Sequence, residues 1–221
     1  MTQLSGLIFI NIGNSMSTEN KLIIGEENVT IEQITDIAFG KGTIALSEDQ
    51  AFREKLQRSR DLLEAKLAAD ETVYGVTTGY GDSCMVDIPK EIRHKLPLQL
   101  TRYHQCGLGK VFSVEMSRAI QLVRIISLSQ GYSAVRIELL EHMVKLFNDG
   151  VTARIPEEGS VGASGDLTPL SYYAATLLGE GDMVYKGEQM PSAQVYELLG
   201  YGPIVLAEKE ALALMNGTAV M

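Results

Sequence analysis

A mostly α-helical fold is what this 221-residue sequence predicts, and three observations predict it. Apolar residues recur at helical spacing through Ile31, Ile34, Ile37 and Ala38, through Phe52, Leu56, Leu63 and Leu67, and through Val135, Leu139, Met143 and Leu146. Capping boxes stand at Thr30-Ile31-Glu32-Gln33 and Ser47-Glu48-Asp49-Gln50. Between Val114 and Gln130 nearly every face is apolar (Met116, Ile120, Leu122, Val123, Ile125, Ile126, Leu128), as in a helix at the centre of a bundle.

Residues 1–20 carry no periodic pattern and are expected to form an extension, with Met16 as an alternative start of translation. Lys21–Ile24 suits a short strand. The first capping box opens a helix that Gly40 and Gly42 end. The second opens a longer helix with acids in its first turn, where the helix dipole favours them. Val73–Gly81 replaces helical spacing with β-branched residues and glycines, which predicts a loop. A helical segment runs from Lys90 toward Cys106, bent or begun at Pro97. Ser133 is placed to cap the next helix and Gly150 to stop it. Asp166–Leu178 follows, with Pro169 in the first turn, where a missing N–H costs little. From Asp182 to Gly202 short polar runs with Gly187, Pro191 and Gly200 predict turns and a small helix. Helical pattern returns over Glu208–Met215 and ends at Asn216-Gly217-Thr218.

Composition narrows the function classes. Hydrophobic residues make up 45% and charged residues 21%, enough apolar surface for a self-sufficient core. A net charge of −9 without any Lys/Arg-rich run argues against nucleic acid or an anionic membrane as the main partner. Cys84 and Cys106 form no CxxC, and the histidines lack ligand spacing, so free thiols and no metal are expected. No apolar run reaches membrane-spanning length, and Leu7-Ile8-Phe9-Ile10 lacks the flanks of a signal peptide. The expected location is cytoplasmic. His142, four residues after Glu138, reads as part of a solvated helix face.

One stretch concentrates small residues against a helix start: Gly159-Ser160-Val161-Gly162-Ala163-Ser164-Gly165-Asp166-Leu167-Thr168-Pro169-Leu170. A phosphate cradle would present free N–H groups there, but the Gly-Lys-Ser/Thr ending of a P-loop is missing. A nucleophilic serine in a G-x-S-x-G elbow fails on Asp166, which stands where the last glycine belongs. A third reading is cyclisation of the backbone. The Gly165 nitrogen attacks the Ala163 carbonyl carbon, and loss of that water and of the Ser164 hydroxyl as a second leaves a methylidene conjugated to an imidazolone ring. Glycine suits the attacking position because no side chain blocks approach. Composition alone favours the plainest reading, a tight glycine loop capping a helix.

The same stretch, with Pro169-Leu170-Ser171, resembles the signature of the histidine/phenylalanine/tyrosine ammonia-lyase family. Three further segments match in order: Val73-Tyr74-Gly75-Val76-Thr77-Thr78-Gly79-Tyr80-Gly81, the Arg102-Tyr103-His104 region, and Ala213-Leu214-Met215-Asn216-Gly217-Thr218. The resemblance runs from about Lys21 to Met221. It implies the N-terminal part of a helical-bundle lyase fold with a loop-rich active-site domain, and a 4-methylidene-imidazol-5-one cofactor self-formed from Ala163, Ser164 and Gly165, with no metal.

The reaction implied is elimination of ammonia from tyrosine, histidine or phenylalanine to a trans-α,β-unsaturated acid. Alternatives are an aromatic amino acid 2,3-aminomutase and an inactive scaffold or binding fragment. By the same resemblance Tyr74 removes the substrate β-proton, Gly81 lines the substrate and Asn216 orients ring or substrate. His104 falls where substrate-ring selection is made. A phenol is a poor base at neutral pH unless its surroundings stabilise phenolate. Histidine at 104 hydrogen-bonds an imidazole or a phenol, while Tyr103 departs from the small residue of histidine-specific members. Family members are longer, and their later segments contribute carboxylate binding and the helices of a homotetramer. The 221-residue chain by itself is therefore expected to be inactive.

Overall fold

The computed structural model describes residues 20–221 apart from Glu27 and Ala163. The expected extension over 1–20 thus lies outside the described residues, except for Asn20. That residue opens β1 (Asn20–Ile24), which pairs in parallel with β2 (Gly42–Leu46) across the crossover helix α1 (Ile31–Ala38). Leu22, Ile24, Ile44 and Leu46 alternate onto one buried face, the period of a half-buried strand. The capping box at α1 is real: Thr30 Oγ1 accepts from Gln33 N at 3.2 Å, and Thr30 N donates to Gln33 Oε1 at 2.8 Å. Gly40, at φ +79°, takes the left-handed turn after the helix, but Gly42 is the first residue of a strand that helical periodicity does not reveal.

α2 (Gln50–Ala68) starts two residues later than its sequence signature suggests. Asp49 caps it by accepting from Phe52 N at 2.9 Å, and Ser47 Oγ instead accepts from Asp49 N at 3.1 Å. Its buried stripe is Phe52, Leu56, Arg60 and Leu63. A loop leads to α3 (Lys90–Arg93) and α4 (Leu96–Tyr103), the latter with Pro97 in its first turn. β3 (Leu108–Val111) then precedes the central helix α5 (Val114–Leu128). α5 buries Ile120, Leu122, Ile125 and Leu128 together with Gln121 and Arg124, whereas Val114 and Met116 in its first turn face outward.

α6 (Ile137–Asn148) follows with Leu139, Leu140, Met143, Leu146 and Phe147 buried. Ser133 does not cap it: Arg136 is the capping residue and makes no side-chain cap bond, while the Ser133 carbonyl accepts from Lys209 Nζ at 2.7 Å. His142 is half-buried rather than solvated. Its Nε2 lies 3.0 Å from the Tyr196 hydroxyl, and burial holds its pKa below the usual imidazole value.

β4 (Thr152–Ala153) and β5 (Pro156–Glu158) lead to α7 (Leu167–Leu177), which starts from Asp166 and is buried along most of its length. β5 closes an antiparallel pair with β3. The segment expected to be turns contains β6 (Asp182–Tyr185) and β7 (Glu188–Pro191), which extend β4 into a three-stranded sheet, then α8 (Ser192–Leu199). Lys186 and Gly187, at φ +52° and +80°, make the two-residue hairpin turn between them. α9 (Glu210–Met215) packs against α4 and α7. Among the described residues no helix is long and apolar enough to cross a membrane.

Two polar side chains tie the layers together. Arg118 of α5 donates to the Ala38 carbonyl at 3.1 Å and the Phe147 carbonyl at 3.2 Å, meeting the negative C-terminal ends of α1 and α6. Asn148 acts as a surrogate strand for β2, accepting from Ile44 N at 3.0 Å and donating to the Ile44 carbonyl at 2.8 Å. Replacing it with an apolar residue strands both backbone groups. Asn148→Leu is expected to lower the unfolding free energy by about 1–3 kcal/mol, read as an earlier urea midpoint; an unchanged midpoint would mean that the amide contributes nothing.

Candidate active site

Four chain segments meet at one cavity of about 370 Å³. The loop after Val73 brings Tyr74, Tyr80 and Gly81. The end of α4 brings Leu100, Tyr103 and His104. The glycine-rich turn brings Ser164, with Leu167 behind it, and α9 brings Leu212 and Asn216. Of the residues singled out in the sequence, Tyr74, Gly81, His104, Ser164 and Asn216 therefore line a single space. Gly165 lies beside it, and Ala163 lies outside the described residues.

The Tyr74 loop is shaped by its own threonines. Thr77 Oγ1 accepts from Val73 N at 2.8 Å, Thr78 Oγ1 accepts from Gly75 N at 3.2 Å, and both threonines are buried. Gly75, at φ +68°, leaves no room for a Cβ, which would lie 2.7 Å from Leu212 and from the Tyr80 ring. This close approach packs the loop onto α9. Tyr74 itself is exposed to the cavity, and its hydroxyl oxygen accepts from Gly81 N at 2.9 Å. Its ring meets that of Tyr80 edge to face at 6.4 Å. Burial pushes the Tyr80 phenol up to about 12, and it also raises that of Tyr103, so both stay protonated at neutral pH.

His104 ends α4. Its Nδ1 lies 2.9 Å from the Leu100 carbonyl. A carbonyl only accepts, so the proton sits on Nδ1 and the neutral ring keeps a lone pair on Nε2. The Tyr103 ring lies tilted over it at 4.6 Å.

The glycine-rich turn is tightly folded. Gly162 and Gly165 bridge across it, with φ of +72° and +99°. A Cβ on Gly165 would stand 2.7 Å from the Gly217 carbonyl oxygen, and Asp166 N donates to that oxygen at 2.7 Å. The buried Asp166 carboxylate collects Ser160 Oγ at 2.6 Å, Val220 N at 3.1 Å and Met221 N at 3.2 Å. The turn and the segment after α9 are thus fastened together. Asn216, which also ends α9, donates from Nδ2 to the Ser164 carbonyl oxygen.

Sequence reasoning missed Tyr80, Leu100, Leu167 and Leu212 as lining residues. Tyr80 lies within the motif that singled out Tyr74, and Leu100 is one helical turn before His104, so spacing alone held a signal for both. Leu212 becomes a wall only through the packing of α9 against the Tyr74 loop.

The family described as aromatic amino acid lyase matches residues 29–221. Histidine ammonia-lyase of Alkaliphilus oremlandii is 39% identical over 201 residues, which cover 91% of this chain and 39% of that protein. The MIO-dependent tyrosine 2,3-aminomutase of Streptomyces globisporus is 40% identical over 195 residues, 88% of this chain and 36% of that protein. The crystal structure of tyrosine aminomutase from Streptomyces globisporus superposes with a TM-score of 0.84 at 36% identity, covering 90% of this chain and 37% of that one. The chain spans about two fifths of the length of the relatives it matches. By the family match over residues 29–221 and these likenesses in sequence and fold, the chain belongs to the aromatic amino acid lyase family.

Proposed function

We propose that the complete protein eliminates ammonia from an aromatic L-amino acid, with tyrosine as the substrate its cavity suits best. The observation that carries this reading is the meeting of the Tyr74 hydroxyl, the His104 ring and the Asn216–Ser164 contact on one cavity. The residues present fit a 4-methylidene-imidazol-5-one formed from Ala163, Ser164 and Gly165. The bridge between Gly162 and Gly165 draws the turn's ends together, and the Gly217 backbone fills the place where a Cβ on Gly165 would stand. Such a group supplies an electrophilic methylidene carbon for the substrate amine, which no unmodified side chain offers.

The chain's own residues take up the remaining work. Asn216 Nδ2 faces the Ser164 carbonyl oxygen and stabilises negative charge there. The N-terminus of α7 follows Asp166 directly and adds about 0.3–1 kcal/mol in the same sense. The β-proton is assigned to Tyr74, whose hydroxyl oxygen faces the cavity and accepts from Gly81 N, while Tyr80 and Tyr103 are pushed further from phenolate. The Gly81 N–H becomes a charge-assisted donor to the Tyr74 oxygen once that oxygen carries charge. Leu100, Leu167 and Leu212 offer apolar walls to an aromatic ring.

His104 supports the choice of tyrosine. With its proton committed to the Leu100 carbonyl, Nε2 accepts a hydrogen bond, which a phenol hydroxyl or an imidazole N–H can give and a phenyl ring cannot. The bulk of Tyr103 stacked beside it favours the phenol. A tyrosine 2,3-aminomutase is the second reading, favoured by the 40% identity to an enzyme of that name. Product analysis separates the two, since only the mutase returns a β-amino acid.

Four variants of the complete protein test these assignments. Wild-type protein is expected to have an intact mass two waters below its translated sequence, and Ser164→Ala to lose both that deficit and turnover. An unshifted wild-type mass, or turnover by the variant, would falsify the cyclisation. Tyr74→Phe should lower kcat by about 10²–10⁴-fold, with Tyr80→Phe far less affected; the opposite order would move the base to Tyr80. His104→Leu should raise the phenylalanine-to-tyrosine ratio of kcat/KM by roughly 10–100-fold, and an unaltered ratio in steady-state assays would remove His104 from substrate selection.

A further inference from the structure

We infer that Arg124 is a positioning residue for Asn216: through the carbonyl groups at the C-terminal end of α9 it sets where the Asn216 amide meets the Ser164 carbonyl. This deepens the proposed function and rests on it.

Arg124 stands in the middle of α5, only 5% exposed. Its Nε donates to the Leu214 carbonyl at 2.9 Å, and its Nη2 donates to the Ala213 carbonyl and reaches the Asn216 carbonyl at 3.5 Å. One guanidinium thus gathers three carbonyls at the end of α9, those of Ala213, Leu214 and Asn216, where a helix leaves carbonyls unpaired and carries negative partial charge. Burial pushes the guanidinium down to about 10, so it stays charged at neutral pH. Its hydrogen-bond partners among the described residues are these carbonyls and the Ser127 hydroxyl at 3.5 Å, none of them a carboxylate. Burying a cation without a carboxylate is costly, and filling the space alone would be better served by an apolar side chain. What the guanidinium adds is a fixed place for the carbonyls it holds.

α9 needs such an anchor. It has six residues, too few to hold its own shape. Its first residue is already fixed: the buried Glu210 carboxylate accepts from Arg136 Nε at 2.9 Å, from Arg136 Nη2 at 2.7 Å and from Ala207 N at 2.7 Å. The opposite end rests on Arg124, and Asn216 follows at once, its amide exposed to the cavity with Ser164 as its partner. Gly217 passes directly over the guanidinium, where a Cβ would collide with it. The Gly217 carbonyl in turn receives Asp166 N and abuts Gly165. A shift at Arg124 therefore moves both the amide and the backbone against which the glycine-rich turn is pressed.

The test is a double-variant cycle in the complete protein: Arg124→Met and Arg124→Lys, each alone and combined with Asn216→Ala. Kinetics are read with tyrosine, alongside intact mass and thermal midpoint. Misplacing the amide by about an ångström should lower kcat of Arg124→Met by about 100-fold, with KM within a few-fold of wild type. The combined variant should be no slower than Asn216→Ala alone, because residues acting as one unit are not additive. Arg124→Lys, which keeps the charge but not the fork, should fall between Arg124→Met and wild type. If Arg124→Met does not fold, the lysine variant carries the cycle. Multiplying losses in the combined variant, or a lowered midpoint with kcat unchanged, would overturn the inference. A wild-type mass without the two-water deficit would instead sink the cyclisation and leave the cycle to judge Arg124 separately.

Discussion

The backbone at Gly217 passes so close to Gly165 that Gly165 has no room for a Cβ, while a Cβ on Gly217 would meet the Arg124 guanidinium. The Gly217 carbonyl receives Asp166 N at 2.7 Å, and the Asp166 carboxylate then takes the amides of Val220 and Met221. The site depends on this contact. It presses the glycine-rich turn against the segment that follows α9, and the Asn216 amide comes to the Ser164 carbonyl as a consequence. Glycine is required at 165 for space as much as for φ, since a side chain there would hold the segments apart.

The core supports that contact through cations set against helix ends. α5 runs through the middle of the fold and carries Arg118 toward the C-termini of α1 and α6, and Arg124 toward that of α9. Arg60 of α2 donates to the Glu208 carbonyl at 3.2 Å, just ahead of α9. Each meets carbonyl groups at or beside helix ends, where a cation is favoured by the negative partial charge. The result is a short helix held at both ends, with Leu212 packed against the Tyr74 loop and Asn216 at its tip. The geometry of the candidate site is thus backbone geometry, fixed by buried side chains outside the cavity lining.

Around the cavity, local surroundings distinguish three tyrosines that sequence alone treats alike. Tyr80 and Tyr103 are raised, chiefly by desolvation, and Tyr74 carries a backbone N–H on its oxygen. His104 is sorted in a different way. The carbonyl one turn back in α4 fixes which nitrogen carries the proton, and so which kind of substrate substituent the ring can receive.

The sequence by itself determined the helices, because periodicity and caps are local. Thr30 and Gln33 form the capping box expected of them, and Asp166 to Leu178 is helical within a residue at each end. It also supplied the candidate residues, since Tyr74, Gly81, His104, Ser164 and Asn216 lie in compact motifs that carry the family resemblance. Strands β2, β6 and β7 were not legible, because a strand of four or five residues is stabilised by a partner far away in the chain and leaves little period of its own. Arg124 was visible only as one charge inside an apolar helix. Its meaning lies in the carbonyls of residues 213, 214 and 216, about ninety positions later. Only tertiary structure decided how Asn216 meets Ser164 and how Leu212 closes on the Tyr74 loop, because both depend on contacts between segments that no local pattern records.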